Sequence, residues 1–142
     1  MIHCRYNQGQ KLDVAGLNEI TVLIDRSRTL RTEVALNTWR AGLVGPPHAH
    51  QEKEQTFFIT GGRGTVVVGP ERREVRAGDV VFVPAGALHQ TIAAADEALE
   101  YLLFNAFLTE TREGHATFAE HIEQVKDTRR RQADAAQRKT AG

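Results

Sequence analysis

Glycine and proline cut most of this chain into segments too short for anything but β-strands. Turn signals fall at Gly42, Gly45-Pro46-Pro47, Gly61-Gly62, Gly69-Pro70, Gly78, Pro84 and Gly86, and no helix-length period survives between them. The intervening segments read as strands over residues 19–24, 30–39, 56–60, 64–68, 72–76, 80–83, 89–93 and 97–107. Strands this short and regular indicate an all-β sandwich or barrel. Val66-Val67-Val68 and Val80-Val81-Phe82-Val83 are apolar on both parities, so both faces of those strands should be covered. A second sheet, the N-terminal segment or a partner subunit would each do this.

The pattern changes after Thr109. Phe118, Ile122 and Val125 are spaced as one helical stripe, which predicts a helix over residues 115–136 with a frayed end at 138–142. Arg129-Arg130-Arg131 reads as a solvated helix end, where cations are favourable. The division is therefore residues 1–112, a β-barrel with its N-terminal strands, and residues 113–142, the helix and tail. The 142 residues amount to one domain. Eighteen basic residues balance eighteen acidic ones, which argues against nucleic acid as a partner. No apolar run approaches the roughly 20 residues of a membrane helix, and the N-terminus shows no apolar stretch of signal-peptide length. Cys4 is the only cysteine, so an internal disulfide is excluded, and a cytoplasmic location is expected.

Chemistry concentrates in the histidines. His48-Ala49-His50 places two imidazoles on one face of an extended chain, about 6–7 Å apart at the backbone. Glu54 can join them only if the chain turns at Gln51-Glu52-Lys53. Glu52 is a rival carboxylate, at i+2 from His50. His89 follows Pro84-Ala85-Gly86, where a turn can send the next strand back toward the pair. Three imidazoles and a carboxylate suit a divalent transition metal. His3, His115 and His121 fall into no such pattern, and His121 reads as exposed on the helix.

Gly42 to Gly61 reads G-x5-H-x-H-x3-E-x6-G, and Gly78 to His89 reads G-x5-P-x-G-x2-H, with sixteen residues between the two. These stretches resemble the two signature motifs of the cupin superfamily. The resemblance covers roughly residues 30–107 and implies a cupin-type jelly-roll barrel, here with a C-terminal helix, holding one metal near its middle. Carried over by position, the implied ligands are His48, His50, Glu54 and His89, with Glu54 favoured over Glu52. The ion would be iron, manganese, nickel or zinc. The family's second motif usually ends in Asn, where this chain has Ala93. Small cupins commonly pair through their sheets, so a homodimer is expected.

If Glu54 points inward, period-two counting adds Thr56 and Phe58 to the pocket, and His89 adds Thr91 and Ala93. Asn37, Trp39, Tyr101 and Leu103 are further wall candidates whose parity no motif decides. No inward Lys and no acidic general base is evident, and no catalytic residue is assigned. Two open metal positions would suit bidentate capture of a small oxygen-rich molecule. The expected function is a metal-dependent enzyme performing oxygenation, isomerisation or decarboxylation. The alternative is a non-catalytic module binding a sugar or another small ligand.

Overall fold

The structure is a computed structural model that describes residues 1–112 and 116–142. Its strands are β1 (Gln10–Val14), β2 (Asn18–Ile24), β3 (Thr32–Trp39), β4 (Lys53–Val68), β5 (Glu71–Arg76), β6 (Val80–Val83), β7 (His89–Ala93) and β8 (Leu99–Phe107). One helix, α1 (Phe118–Thr140), closes the chain. All strand pairings are antiparallel, and the first sheet runs β1-β2-β3-β8-β4-β6. The second half of β4 continues into a smaller layer between β5 and β7. This is the expected jelly-roll barrel with a C-terminal helix.

Alternation along the strands builds the core. On β8, Leu99, Tyr101, Leu103, Asn105 and Phe107 are buried while the residues between them face outward. On the first half of β4 the inward set is Lys53, Gln55, Phe57 and Ile59. Trp39, Phe57, Ile59, Leu99 and Tyr101 form the centre of the apolar cluster. Phe118 and Ile122 of α1 join it, with Val125 packed against it, as the helical stripe predicts. Thr117 caps α1 by accepting from the Glu120 N–H at 3.1 Å, and Glu120 accepts from the Ala116 N–H at 2.7 Å. The helix continues to Thr140, past the expected end at residue 136, and the expected start at His115 lies outside the described residues. No helix among the described residues is long and apolar enough to cross a membrane.

Two expectations change. Strand β1 is absent from the sequence reading because it is a short outer strand with only Leu12 and Val14 apolar. Strand β4 does not stop at Gly61-Gly62 but bends there, with a register shift between Ile59 and Gly61. Gly62 has φ +74°, and a Cβ on it would stand 1.6 Å from the Ala98 carbonyl oxygen. The bend carries one strand from the larger sheet into the smaller, which brings β7 to the same cavity as β3 and β8. Gly62→Ala should therefore cost about 3 kcal/mol or more in urea unfolding. Gly69→Ala, at φ +56° with open space around it, should cost only about 1 kcal/mol. Equal effects of the two substitutions would contradict this account of the bend.

Candidate metal centre

The segment after β3 is stitched along β7. Gly42 N–H donates to the Ala94 carbonyl at 2.7 Å and Gly45 N–H to the Thr91 carbonyl at 2.9 Å. Gly45 must lack a side chain, since a Cβ there would lie 2.7 Å from the Trp39 ring and 2.9 Å from the Thr91 oxygen. The stitching ends in a reciprocal pair, His48 N–H to His89 O at 3.0 Å and His89 N–H to His48 O at 2.8 Å. The turn before β7 is latched to the same segment, with Gly86 N–H donating to His50 O at 2.7 Å. Gly86 has φ +81°, a conformation glycine adopts without strain.

These contacts bring His48, His50 and His89 together. Ring centroids lie 4.2 Å apart for His48–His89, 5.0 Å for His48–His50 and 5.4 Å for His50–His89. One nitrogen from each ring falls within 4.8 Å of the others, so the three are positioned to bind a metal ion. His48 Nδ1 donates to the Pro46 carbonyl and His89 Nδ1 to the Ala87 carbonyl, both at 3.0 Å. The Glu52 carboxylate stands 3.7 Å from His50 Nδ1. The carbonyl acceptors on Nδ1 of His48 and His89 leave Nε2 of those two rings as the unprotonated, ligating atom. His89 Nε2 is buried with no hydrogen-bond partner, an expensive arrangement unless something binds there. Burial lowers the pKa of His50 and His89, the latter to about 4, and His48 at the rim shifts the same way. Three neutral imidazoles with a nitrogen each turned toward the others fit a divalent transition ion.

The structure does not bring Glu54 to this cluster. Glu54 is exposed on the outer face of β4, opposite Ala106. The strand begins at Lys53, three residues before the expected start at residue 56, and Lys53 leads the inward set. A one-residue slip reverses every side chain, so Thr56 and Phe58 also face outward, away from the cavity. Thr91 does line the cavity, but Ala93 packs in the apolar core further along β7, opposite Gly64. Asn37, Trp39, Tyr101 and Leu103 all line it.

Sequence reasoning missed two inward residues on β4. Lys53 is only 2% exposed and lies 3.9 Å from Glu33, itself fully buried. Burial lowers the Lys53 pKa and raises that of Glu33, and each group's charge opposes the shift in the other. Gln55 is buried, lines the same cavity and donates through Nε2 to Asn105 Oδ1 at 2.9 Å. Asn105 in turn donates to Glu33 Oε1 at 2.7 Å. That leaves Gln55 Oε1 buried and unpartnered. A signal for Gln55 exists: it precedes Gly62 by the same interval that separates Glu54 from Gly61. A search for carboxylate ligands passes over an amide.

The cavity encloses about 350 Å³ between the barrel interior and α1. Two residues of α1 differ from expectation. His121 is half-buried and lines the cavity, its ring 5.8 Å from that of His50. Arg129 turns inward to the cavity rather than lying on a solvated helix end, whereas Arg130 and Arg131 are exposed.

Comparison with known proteins agrees with the fold. The family described as a cupin domain matches residues 37–105. An uncharacterized protein of Aquifex aeolicus is 37% identical over 43 residues, 30% of this chain, and the match spans just over a third of that relative, 36%. KdgF from Halomonas sp. superposes with TM-score 0.61 at 22% identity, covering 70% of this chain and 90% of its own. The polyketide cyclase RemF from Streptomyces resistomycificus gives 0.67 at 18% identity, covering 75% and 79%. At these identities the structural likeness is one of fold.

The buried imidazoles carry a pH prediction. Histidines in the unfolded chain titrate near 6.5, while folded His89 does so near 4. Between those values the unfolded chain takes up protons that the folded chain refuses, so stability is full above 6.5 and lost as the pH falls toward 4. The urea midpoint of metal-free protein should drop between pH 7 and pH 5, and should drop less in His89→Gln. Equal slopes for the two proteins would contradict the burial of this ring.

Proposed function

Because the chain belongs to the cupin superfamily, we propose that its convergent histidines make it a metal-dependent enzyme acting on a small oxygen-rich metabolite. The ligand set is His48, His50, His89 and Gln55, with Gln55 Oε1 taking the place expected for the Glu54 carboxylate. The observation that carries this is the pair of buried, unpartnered atoms, His89 Nε2 and Gln55 Oε1, facing one cavity. Asn105 and Glu33 hold the Gln55 amide with its nitrogen turned away and its oxygen free. When bound, the ion supplies Lewis-acid polarisation of a substrate oxygen.

A neutral ligand set leaves the ion's charge uncompensated, which favours a redox-neutral reaction such as isomerisation over oxygenation at a carboxylate-ligated centre. His121 lines the cavity beside His50 and serves as the proton carrier. Tyr101 accepts from Trp39 and Asn37 at 3.1 Å each and shares a hydrogen bond with Thr91. Burial raises its pKa to about 12, so it stays a neutral phenol that shapes the wall. The second reading is a binding module without turnover. It draws on the absence of any Asp or Glu from the cavity wall among the described residues, which leaves no carboxylate base.

Elemental analysis after loading with Fe(II), Mn(II), Ni(II) or Zn(II) tests the ligand set. Wild type should hold about one ion per chain, Gln55→Ala should bind at least about tenfold more weakly, and Glu54→Ala should match wild type. An empty wild-type protein would contradict the metal reading. Weakening in Glu54→Ala but not in Gln55→Ala would restore the carboxylate. A turnover screen of His121→Gln, with its metal retained, separates enzyme from binding module.

The same chain is proposed to be a homodimer. The covered faces expected from sequence differ from the structure: Val66 is in the core, but Val80 and Phe82 are 64% and 53% exposed. Pairing of Phe58 with Val80 and of Thr56 with both Phe82 and Phe104 makes these side chains one apolar patch. The patch adjoins β6, a sheet-edge strand paired only with β4. An edge strand beside an apolar face suits a two-fold contact with a second copy. Light scattering should give two chains for wild type and one for Phe82→Glu. A wild-type protein with the mass of one chain would overturn the dimer.

A further inference from the structure

The wall of the cavity facing α1 has features that the metal ligands do not use. Arg129 donates through Nη1 to the Val14 carbonyl at 3.1 Å, while its Nε is buried with no partner. No carboxylate pairs with Arg129 among the described residues. Lys53, the other cation on the wall, has Glu33 beside it. Arg129 thus brings an uncompensated positive charge, close enough to act on His48. Val14 and Asn18 are cross-strand partners in the β1–β2 hairpin, so the carbonyl that anchors Arg129 lies next to Asn18. Asn18 is 7% exposed and lines the cavity. Its Nδ2 donates to Asn37 Oδ1 at 2.9 Å, and its Oδ1 is buried without a partner.

One side of the cavity therefore offers a free donor on a cation and a free acceptor on an amide. We propose that Arg129 and Asn18 are the substrate-recognition half of this site, and that the substrate is a small carboxylate bearing a hydroxyl group. The carboxylate accepts from Arg129 Nε, and the hydroxyl donates to Asn18 Oδ1. A charge-assisted bond of this kind is among the stronger polar contacts available. No Asp or Glu among the described residues lines the wall, and a neutral ligand set leaves the ion itself attractive to an anion. The volume of about 350 Å³ is at the small end for ligand sites, which fits a hydroxy acid of monosaccharide size and excludes a peptide. The inference rests on the metal reading above, and it places recognition on α1 and β2, outside the motif-bearing strands.

Calorimetric titration of metal-loaded protein with glycolate, glycerate and gluconate, and with glucitol as the neutral counterpart of gluconate, tests it. At least one of the three acids should bind, and glucitol should bind at least about tenfold more weakly than gluconate. Arg129→Gln should weaken the acid about tenfold or more with metal content unchanged, and Arg129→Lys should recover part of the loss. Asn18→Ala should reduce the preference for gluconate over hexanoate. Failure of all three acids to bind, or an affinity untouched by Arg129→Gln, overturns the proposal. Metal content measured on the same samples separates this outcome from failure of the metal reading, in which wild type would hold no ion.

Discussion

The metal centre depends on the reciprocal backbone pair between His48 and His89. Two hydrogen bonds of 3.0 and 2.8 Å join residues far apart in sequence and set their rings side by side, with centroids 4.2 Å apart. The carbonyls two residues before each histidine then take up Nδ1, so backbone geometry selects the tautomer as well as the position. Gly45, which leaves room for the Trp39 ring, and Gly86, which turns the chain toward the His50 carbonyl, are needed so that this pair can form. The bend of β4 at Gly62 places β7 within reach. Glycines that look like loop punctuation are thus requirements of ligand geometry.

A second constraint is charge. The polar part of the cavity wall is built from imidazoles, amides, hydroxyls and two cations, without an acid among the described residues. One cation, Lys53, is matched by Glu33, and that carboxylate also orders Asn105 and through it Gln55. The buried Lys–Glu pair is a costly feature if judged by stability alone. Its value lies in orientation, because through Asn105 it holds Nε2 of the Gln55 amide and leaves Oε1 unpartnered. Arg129 is left without a carboxylate partner among the described residues, and the proposed preference for anions rests on that imbalance.

Most of the architecture was legible in the sequence. Strands β6 and β7 and the apolar stripe of α1 stand where turn residues and periodicity put them, because those signals are local. The parity of β4 was not legible. Lys53 reads as a polar turn residue, and only Glu33, brought alongside through β8, shows why it can be buried. From that slip followed the misplacing of Glu54, Thr56 and Phe58. The places of His121 and Arg129 were equally hidden, since α1 reaches the cavity through packing against β1 that no spacing encodes. Ala93 has inward parity as expected but sits beyond the cavity, a matter of depth along the strand that period-two counting does not address.

The central claim is that a neutral quartet from β4, β7 and the segment between β3 and β4 holds one ion. It is tested most directly by anomalous diffraction from crystals of the protein loaded with Mn(II) or Ni(II). The account predicts one anomalous peak per chain, bounded by the Nε2 atoms of His48, His50 and His89 and by Gln55 Oε1. A peak bonded to the carboxylate of Glu52 or Glu54, or no peak among the three imidazoles, would contradict it.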